Sequence, residues 1–301
     1  MAISLEGFYD LHVHTAPVNF RRLGDAIDLG RMCAEAGMAG MVTKGHFEAT
    51  IARAHHANRE LNGRYPNFKV YSAIALNRGV GGINPAAVEL AMDMGAKVVW
   101  LPTLDATNHA RAFGGAGTYG FRAMTLDFKR PSTFNKTYTV FDANKKLTAE
   151  TKEVVDIVNA YDAILATGHL SKEEIYAVAE YALGQKLKRM LITHPEFTVP
   201  DLDLDTMIDL TKRGIYLEFC AANVFPIINK MTLVQMKDIM EAVGPAHAII
   251  STDAGQPFHP SPPEMLRSYV EGLNQKGLSE LAIRTMCIDN PAYLLNVPRS
   301  N

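Results

Sequence analysis

Cysteine is scarce. Cys33, Cys220 and Cys287 are the only three in 301 residues, too few and too scattered for a disulfide framework, and this points to a reducing cytoplasm. No apolar run approaches the roughly 18–20 residues that a membrane helix needs. The opening MAISLEGFYD lacks the basic and apolar regions of a signal peptide. Charge of one sign is not in excess: 30 Lys and Arg stand against 32 Asp and Glu, a net of −2. That balance gives no electrostatic reason to expect a nucleic acid or a membrane surface as partner. Sequence repeats and low-complexity linkers are absent, so one domain over 1–301 is expected. What remains, 48% hydrophobic and 21% charged residues, is ordinary for a soluble enzyme with a sizeable core.

Apolar, β-branched runs alternate with amphipathic stretches along the whole chain. Strands are predicted at 7–13, 39–44, 68–76, 97–101, 163–167, 189–193, 215–219 and 248–252; their near-continuous hydrophobicity suits a parallel sheet buried on both faces. Helices are predicted at 25–36, 48–61, 85–94, 149–160, 172–183, 204–212, 233–242, 263–275 and 278–288, with a capping box at Ser171–Glu174 and stops at Gly37, Gly95, Gly214 and Gly244. Eight strands alternating with eight or more helices predict an α/β fold, a single (β/α)8 TIM barrel. One interval breaks the rhythm, a long insertion after the fourth strand from Pro102 to Lys146 that holds Gly114, Gly115, Gly117 and Gly120. It leaves the catalytic face of such a barrel and reads as a substrate cover, a subunit contact or a mere decoration.

Four strand ends carry residue types that bind divalent metals. They are Asp10-Leu11-His12-Val13-His14, Thr167-Gly168-His169, Thr193-His194 and Ser251-Thr252-Asp253. Imidazole and carboxylate are the usual ligands of zinc and related ions, and residues two apart on a strand point the same way. His12 and His14 therefore can grip one ion from one strand, with His169, His194 and Asp253 converging from others. The cofactor expected is a divalent ion, zinc first, one or two per chain, with manganese, iron and nickel compatible with the same donors.

This pattern resembles the amidohydrolase superfamily over the whole chain, from Asp10–His14 to Asn290-Pro291-Ala292-Tyr293-Leu294-Leu295. The segments Thr43-Lys44-Gly45-His46, Asn77–Pro85 and Trp100–Thr103 resemble an uncharacterised branch of it. The resemblance implies a metal-dependent hydrolase with His12, His14, His169, His194 and Asp253 as its ligand set. Binuclear members end the fourth strand in a carboxylated lysine, whereas here that strand ends Trp100-Leu101-Pro102-Thr103 and Lys97 lies at the wrong end. Lys44 and His46 end the second strand instead. Lys44 is open among a bridging carbamate, an ammonium that orients an anionic substrate, and a salt-bridge partner; His46 is open between a second metal and the substrate.

A divalent ion lowers the pKa of bound water from 15.7 to near 7 and polarises a carbonyl. Asp253 is the candidate proton carrier to the leaving group, with Lys44 and His194 as further catalytic candidates. Asp10 would accept the second N–H of a ligand imidazole or serve a salt bridge in the barrel floor. Glu218, in an apolar strand, needs a partner such as Lys44 or a site histidine. Asn77, Arg78, Asp105, His109 and Arg111 follow the third and fourth strands and are candidates for substrate binding. The function expected is hydrolysis of a C–N or C–O bond (amide, cyclic amide or lactone) in a small metabolite that can carry a carboxylate. Metal-dependent decarboxylation is the alternative, followed by a PHP-like phosphoesterase and a non-catalytic binding barrel. The phosphoesterase needs a glutamate where Asn77 stands. A homo-oligomer is also expected, with Trp100 or the insertion at its interface.

Overall fold

The computed structural model describes residues 3–19, 21–119, 136–226 and 228–297. The strands are β1 Tyr9–His14, β2 Gly40–Lys44, β3 Lys69–Tyr71, β4 Ala73–Ala75, β5 Val98–Trp100, β6 Ile164–Ala166, β7 Met190–Thr193, β8 Tyr216–Cys220 and β9 Ala248–Ser251. Every pairing is parallel, in the orders β1-β2-β3 and β4-β5-β6-β7-β8-β9. The third predicted strand is thus split at Ser72, one half pairing with β2 and the other with β5. A parallel bridge between Val13 and Ala254 brings the last strand back to the first. The architecture is the expected (β/α)8 barrel.

Helices α1 Ala26–Glu35, α2 Ile51–Leu61, α3 Pro85–Asp93, α4 Thr107–Phe113, α5 Ala149–Ala160, α6 Lys172–Gly184, α7 Leu204–Lys212, α8 Leu233–Val243 and α9 Pro262–Gln275 follow the strands. The expected capping box is present at the start of α6, where Ser171 and Glu174 bond each other's backbone. The predicted last helix is instead three pieces: α10 Glu280–Arg284, a π-helical turn Thr285–Asp289, and α11 Asn290–Leu294. Helix α4 interrupts the insertion that the sequence reads as a loop throughout. The stretch 120–135, with Gly120, lies outside the described residues, as does the opening Met-Ala.

Two apolar layers result from strand alternation. The outer one, between strands and helices, holds Val13, Met41, Val99, Leu165 and Ile192 among others. The inner one fills the barrel with Leu11, Val42, Val98, Trp100, Ile164, Ala166, Leu191 and Ile249. Leu294 of α11 and Leu295 just after it join that inner layer, and Asn290 donates to the carbonyls of Pro245 (2.8 Å) and Ala248 (2.7 Å). The Asn-Pro-Ala-Tyr-Leu-Leu stretch is therefore a plug for the N-terminal end of the barrel. Trp100 is fully buried within it, so it contacts no partner subunit, contrary to one expectation.

Candidate metal centre

The site begins with an irregularity in β1. Asp10 pairs with Met41 and Val13 with Thr43, so Leu11 and His12 together oppose Val42. The extra residue is a β-bulge, which switches the side-chain alternation. Leu11 faces the barrel interior below the bulge, and His12 and His14 face it above. Asp10, on the other side, receives the backbone N–H groups of His12 (3.1 Å) and Thr252 (3.1 Å) and the Thr252 hydroxyl. It ties β1 to β9. The expectation that Asp10 supports an imidazole is corrected, because the bulge turns it away from the rings.

Glu218 of β8 takes that place. Its Oε2 lies 3.0 Å from Nδ1 of His12. With the Nδ1–H given to Glu218, a neutral His12 ring carries its lone pair on Nε2. That atom faces Lys44 Nζ at 2.8 Å and Asp253 Oδ1 at 3.3 Å, and the same carboxylate oxygen is 2.9 Å from His14 Nε2. One donor atom from each of His12, His14 and Asp253 falls within 4.8 Å of the others. In donor type and spacing, and with the Lys44 ammonium beside them, these residues fit a divalent ion. A second trio, His12, Glu218 and Cys220, is equally compact. It fits less well: it uses the ring nitrogen already turned to Glu218, and burial together with Glu218 pushes the Cys220 thiol well up.

The remaining histidines close around this point. His46 stacks on His14 with centroids 4.6 Å apart, and His194 lies 6.0 Å from His12 and 5.1 Å from His169. Nδ1 of His14 and Nδ1 of His194 are buried with no hydrogen-bond partner among the described residues. Burial holds His14, His46 and His169 well below the ordinary imidazole value and brings His194 to about 4. Burial alone would raise Asp253, but His12, His14 and His194 outweigh it and hold it well below the carboxylate range. Neutral imidazoles beside an ionised carboxylate are the protonation states that metal binding requires. Lys44, fully buried 4.5 Å above the Trp100 ring, is lowered to about 8 by burial against the pull of Asp253 and Glu218.

The backbone at these strand ends is bent tightly. His194 (φ 29°) and Asp253 (φ 55°) both adopt positive φ without being glycine, a costly state that clusters at functional turns. Gly255 keeps the turn after Asp253 against β1: a Cβ there would lie 1.8 Å from the His14 carbonyl oxygen.

The residues expected to bind substrate make the following contacts. Asn77 donates to Thr103 Oγ1 (2.6 Å) and the His46 carbonyl (2.7 Å) and accepts from the N–H groups of Thr103 and Asp105. Arg78 is paired through Nε and Nη2 with the Asp105 carboxylate. Arg111 donates to Asn108 at 2.6 Å, and His109 contacts His169. Asn77, Asp105 and His109 are buried behind the histidines, Arg78 is part-buried, and Arg111 is exposed. Two residues went unread in the sequence. The Arg22 guanidinium, on the loop after β1, shares the charge environment of Asp253, Tyr119 and His14. Glu196, two residues past His194, accepts from Asn223 at 2.5 Å and is pushed up to about 8 by burial. The adjacent pair Arg21-Arg22 just beyond the end of β1 was the available signal for the first; nothing local marked the second.

A family model described as "Family of unknown function (DUF6282)" matches residues 7–218. The chain belongs to that family. No curated protein matches the sequence. Among solved structures, the fold is similar to that of an amidohydrolase from Pseudomonas aeruginosa, with 12% identity, a TM-score of 0.62, and coverage of 97% of this chain and 96% of that one. A metallopeptidase, dipeptidase AC, gives 13%, 0.62, 97% and 98%. The 2,6-dihydroxybenzoate decarboxylase from Rhizobium gives 12%, 0.56, 97% and 99%. The barrel expected from the sequence resemblance is the fold these structures share. Among the described residues no helix is long and apolar enough to cross a membrane.

Proposed function

We propose that this protein is a metal-dependent hydrolase that cleaves a C–N or C–O bond of an amide, cyclic amide or lactone in a small carboxylated metabolite. The observation that carries this reading is the convergence of His12 Nε2, His14 Nε2 and Asp253 Oδ1 on one point. His12, His14 and Asp253 would hold the ion, with His169 and His194 completing the set and zinc the first choice among compatible metals. An ion bound there would acidify a coordinated water and polarise a carbonyl. Asp253 is the member of the set with appreciable exposure, 18% of its side chain, so its carboxylate reaches the substrate side. It accepts a proton there and returns it to the leaving nitrogen or oxygen. Glu218 fixes the His12 tautomer. Lys44 and Arg22 supply positive charge on the walls and favour an anionic substrate. A soluble cytoplasmic homo-oligomer, one domain per chain, remains our expectation for its state.

Decarboxylation is the second reading. It is supported by Trp100, which occupies the fourth-strand end where binuclear hydrolases are expected to place their bridging lysine. The test is metal content per chain, purified without chelator, beside Asp253→Asn and Lys44→Ala. About two ions, falling to one in the lysine variant, favour a binuclear hydrolase and a screen of amides and lactones. One ion, indifferent to Lys44, favours a mononuclear site and brings carboxylated substrates of decarboxylation onto the screen. No stoichiometric metal overturns the proposal.

A further inference from the structure

One buried histidine stands outside the candidate ligand set. His109, in α4 at the start of the insertion, has no exposed surface. Its Nε2 lies 2.7 Å from the Thr118 carbonyl oxygen, and its Nδ1 lies 2.8 Å from Nδ1 of His169. A carbonyl oxygen only accepts, so the His109 proton must be on Nε2. In a neutral ring Nδ1 is then an acceptor, and the bond to His169 exists only if His169 carries its proton on Nδ1. The lone pair of His169 is thereby forced onto Nε2, at the opposite edge of the ring from His109.

We infer that His109 is a positioning residue that fixes His169 in its metal-binding tautomer and ties the first leg of the insertion to the metal centre. The inference rests on the metal reading above. The direction of the chain is set by its last acceptor: the Thr118 carbonyl orients His109, and His109 orients His169. The contact is reinforced by packing, since Phe113 (4.7 Å, tilted) and Tyr119 (5.0 Å, edge-on) pack against the His109 ring. Phe197 spans the gap to His194 (5.1 Å) and Phe113 (6.1 Å). A segment that must sit in one place for His169 to present its lone pair is, by linkage, held in that place when His169 binds an ion. The segment from 107 to 119 is therefore part of the metal centre.

The tautomer can be read directly. In wild-type protein labelled with 15N-histidine and stripped of metal, long-range 1H–15N correlation should show the proton of His169 on Nδ1 and that of His109 on Nε2. A His169 proton on Nε2 would overturn the inference with no variant needed. Zn2+ affinity, measured by competition with a chromophoric chelator, gives the second readout. His109→Phe, which neither accepts nor donates, should weaken zinc binding about 10- to 100-fold. His109→Gln, which offers both an acceptor and a donor, should lose less. Zinc binding by His109→Phe equal to wild type overturns the inference and leaves the metal reading intact. Failure of the wild type to bind zinc ends both.

Discussion

The two ends of this barrel are built on opposite terms. The N-terminal end is apolar, closed by Leu11, Leu191, Ile249, Leu294 and Leu295 beneath Trp100. The C-terminal end packs His12, His14, Lys44, His46, His169, His194 and Glu218 into burial nearly as complete. A cleft of about 880 Å3 does open beside the apolar end, lined by Tyr9, Lys69, Tyr71 and Val297 among others. None of the histidines borders it. Burying apolar groups stabilises the fold, whereas burying ionisable groups opposes it unless each finds a partner or a metal. The plug stabilises, and the site is tolerated because the plug and the outer layer carry it.

Acid should separate the two ends most sharply. His14, His46, His109, His169 and His194 all lie below the ordinary imidazole value in the fold, mainly through burial. Between pH about 6.5 and 4 the unfolded chain therefore binds more protons at these positions, so the stability they contribute is present above about 6.5 and is lost as pH falls. Asp10 at about 6 and Glu196 at about 8 pull the other way, two groups against five. Metal-free protein should lose stability across that window. Saturating zinc at pH 7 should raise its unfolding midpoint in turn. Denaturant melts at pH 7.5, 6 and 5 check this, and a flat profile would remove the contrast between the ends.

Asp253→Asn attacks the active end alone. On any amide or lactone the wild type cleaves, turnover should drop about 10²- to 10⁴-fold, while some metal stays bound through His12, His14 and their neighbours. Activity within tenfold of wild type would sink the assignment of Asp253. Trp100→Ala attacks the boundary, because Trp100 fills the barrel interior while its ring lies 5.6 Å from His12. It should cost about 3–5 kcal/mol in urea unfolding of the metal-free protein. A loss below about 1 kcal/mol would mean that the plug does not support the site.

Most of the scaffold was legible in the sequence because a strand buried on both faces and an amphipathic helix leave periodic marks. The strand-end residues His12, His14, His169, His194 and Asp253 were legible for the same reason: a barrel brings strand ends together whatever the loops do. The bulge between Asp10 and Val13 was not, since a two-against-one pairing leaves no trace in one strand's own pattern, and without it the role of Asp10 stayed open between an imidazole and a salt bridge. The engagement of Arg78 with Asp105 and of His109 with His169 was hidden for another reason. Each joins residues 27 and 60 positions apart, and loop polarity reads the same whether a group meets substrate or a neighbour. Helix α4 was missed because glycines at 114, 115 and 117 dominate its surroundings.

The correction at β1 also yields the mildest test of the contrast. If Glu218 orients His12 for the metal, Glu218→Gln should weaken zinc binding by about tenfold, the low end for such a substitution. The amide oxygen can still accept from His12 Nδ1, so the tautomer survives while the negative charge that strengthens the imidazole as a ligand is gone. The same change removes a buried carboxylate, which burial alone would raise but His12, Lys44 and His194 hold below its ordinary value. The ionised form therefore contributes to stability at neutral pH, and the metal-free variant should also lose some of it. Asp10→Asn makes the control: Asp10 bonds the backbone N–H groups of His12 and Thr252 and no ring, so its replacement should lower the unfolding midpoint more than the zinc affinity. The opposite pattern, with zinc affinity tracking Asp10 and ignoring Glu218, would restore the reading that the bulge in β1 overturned.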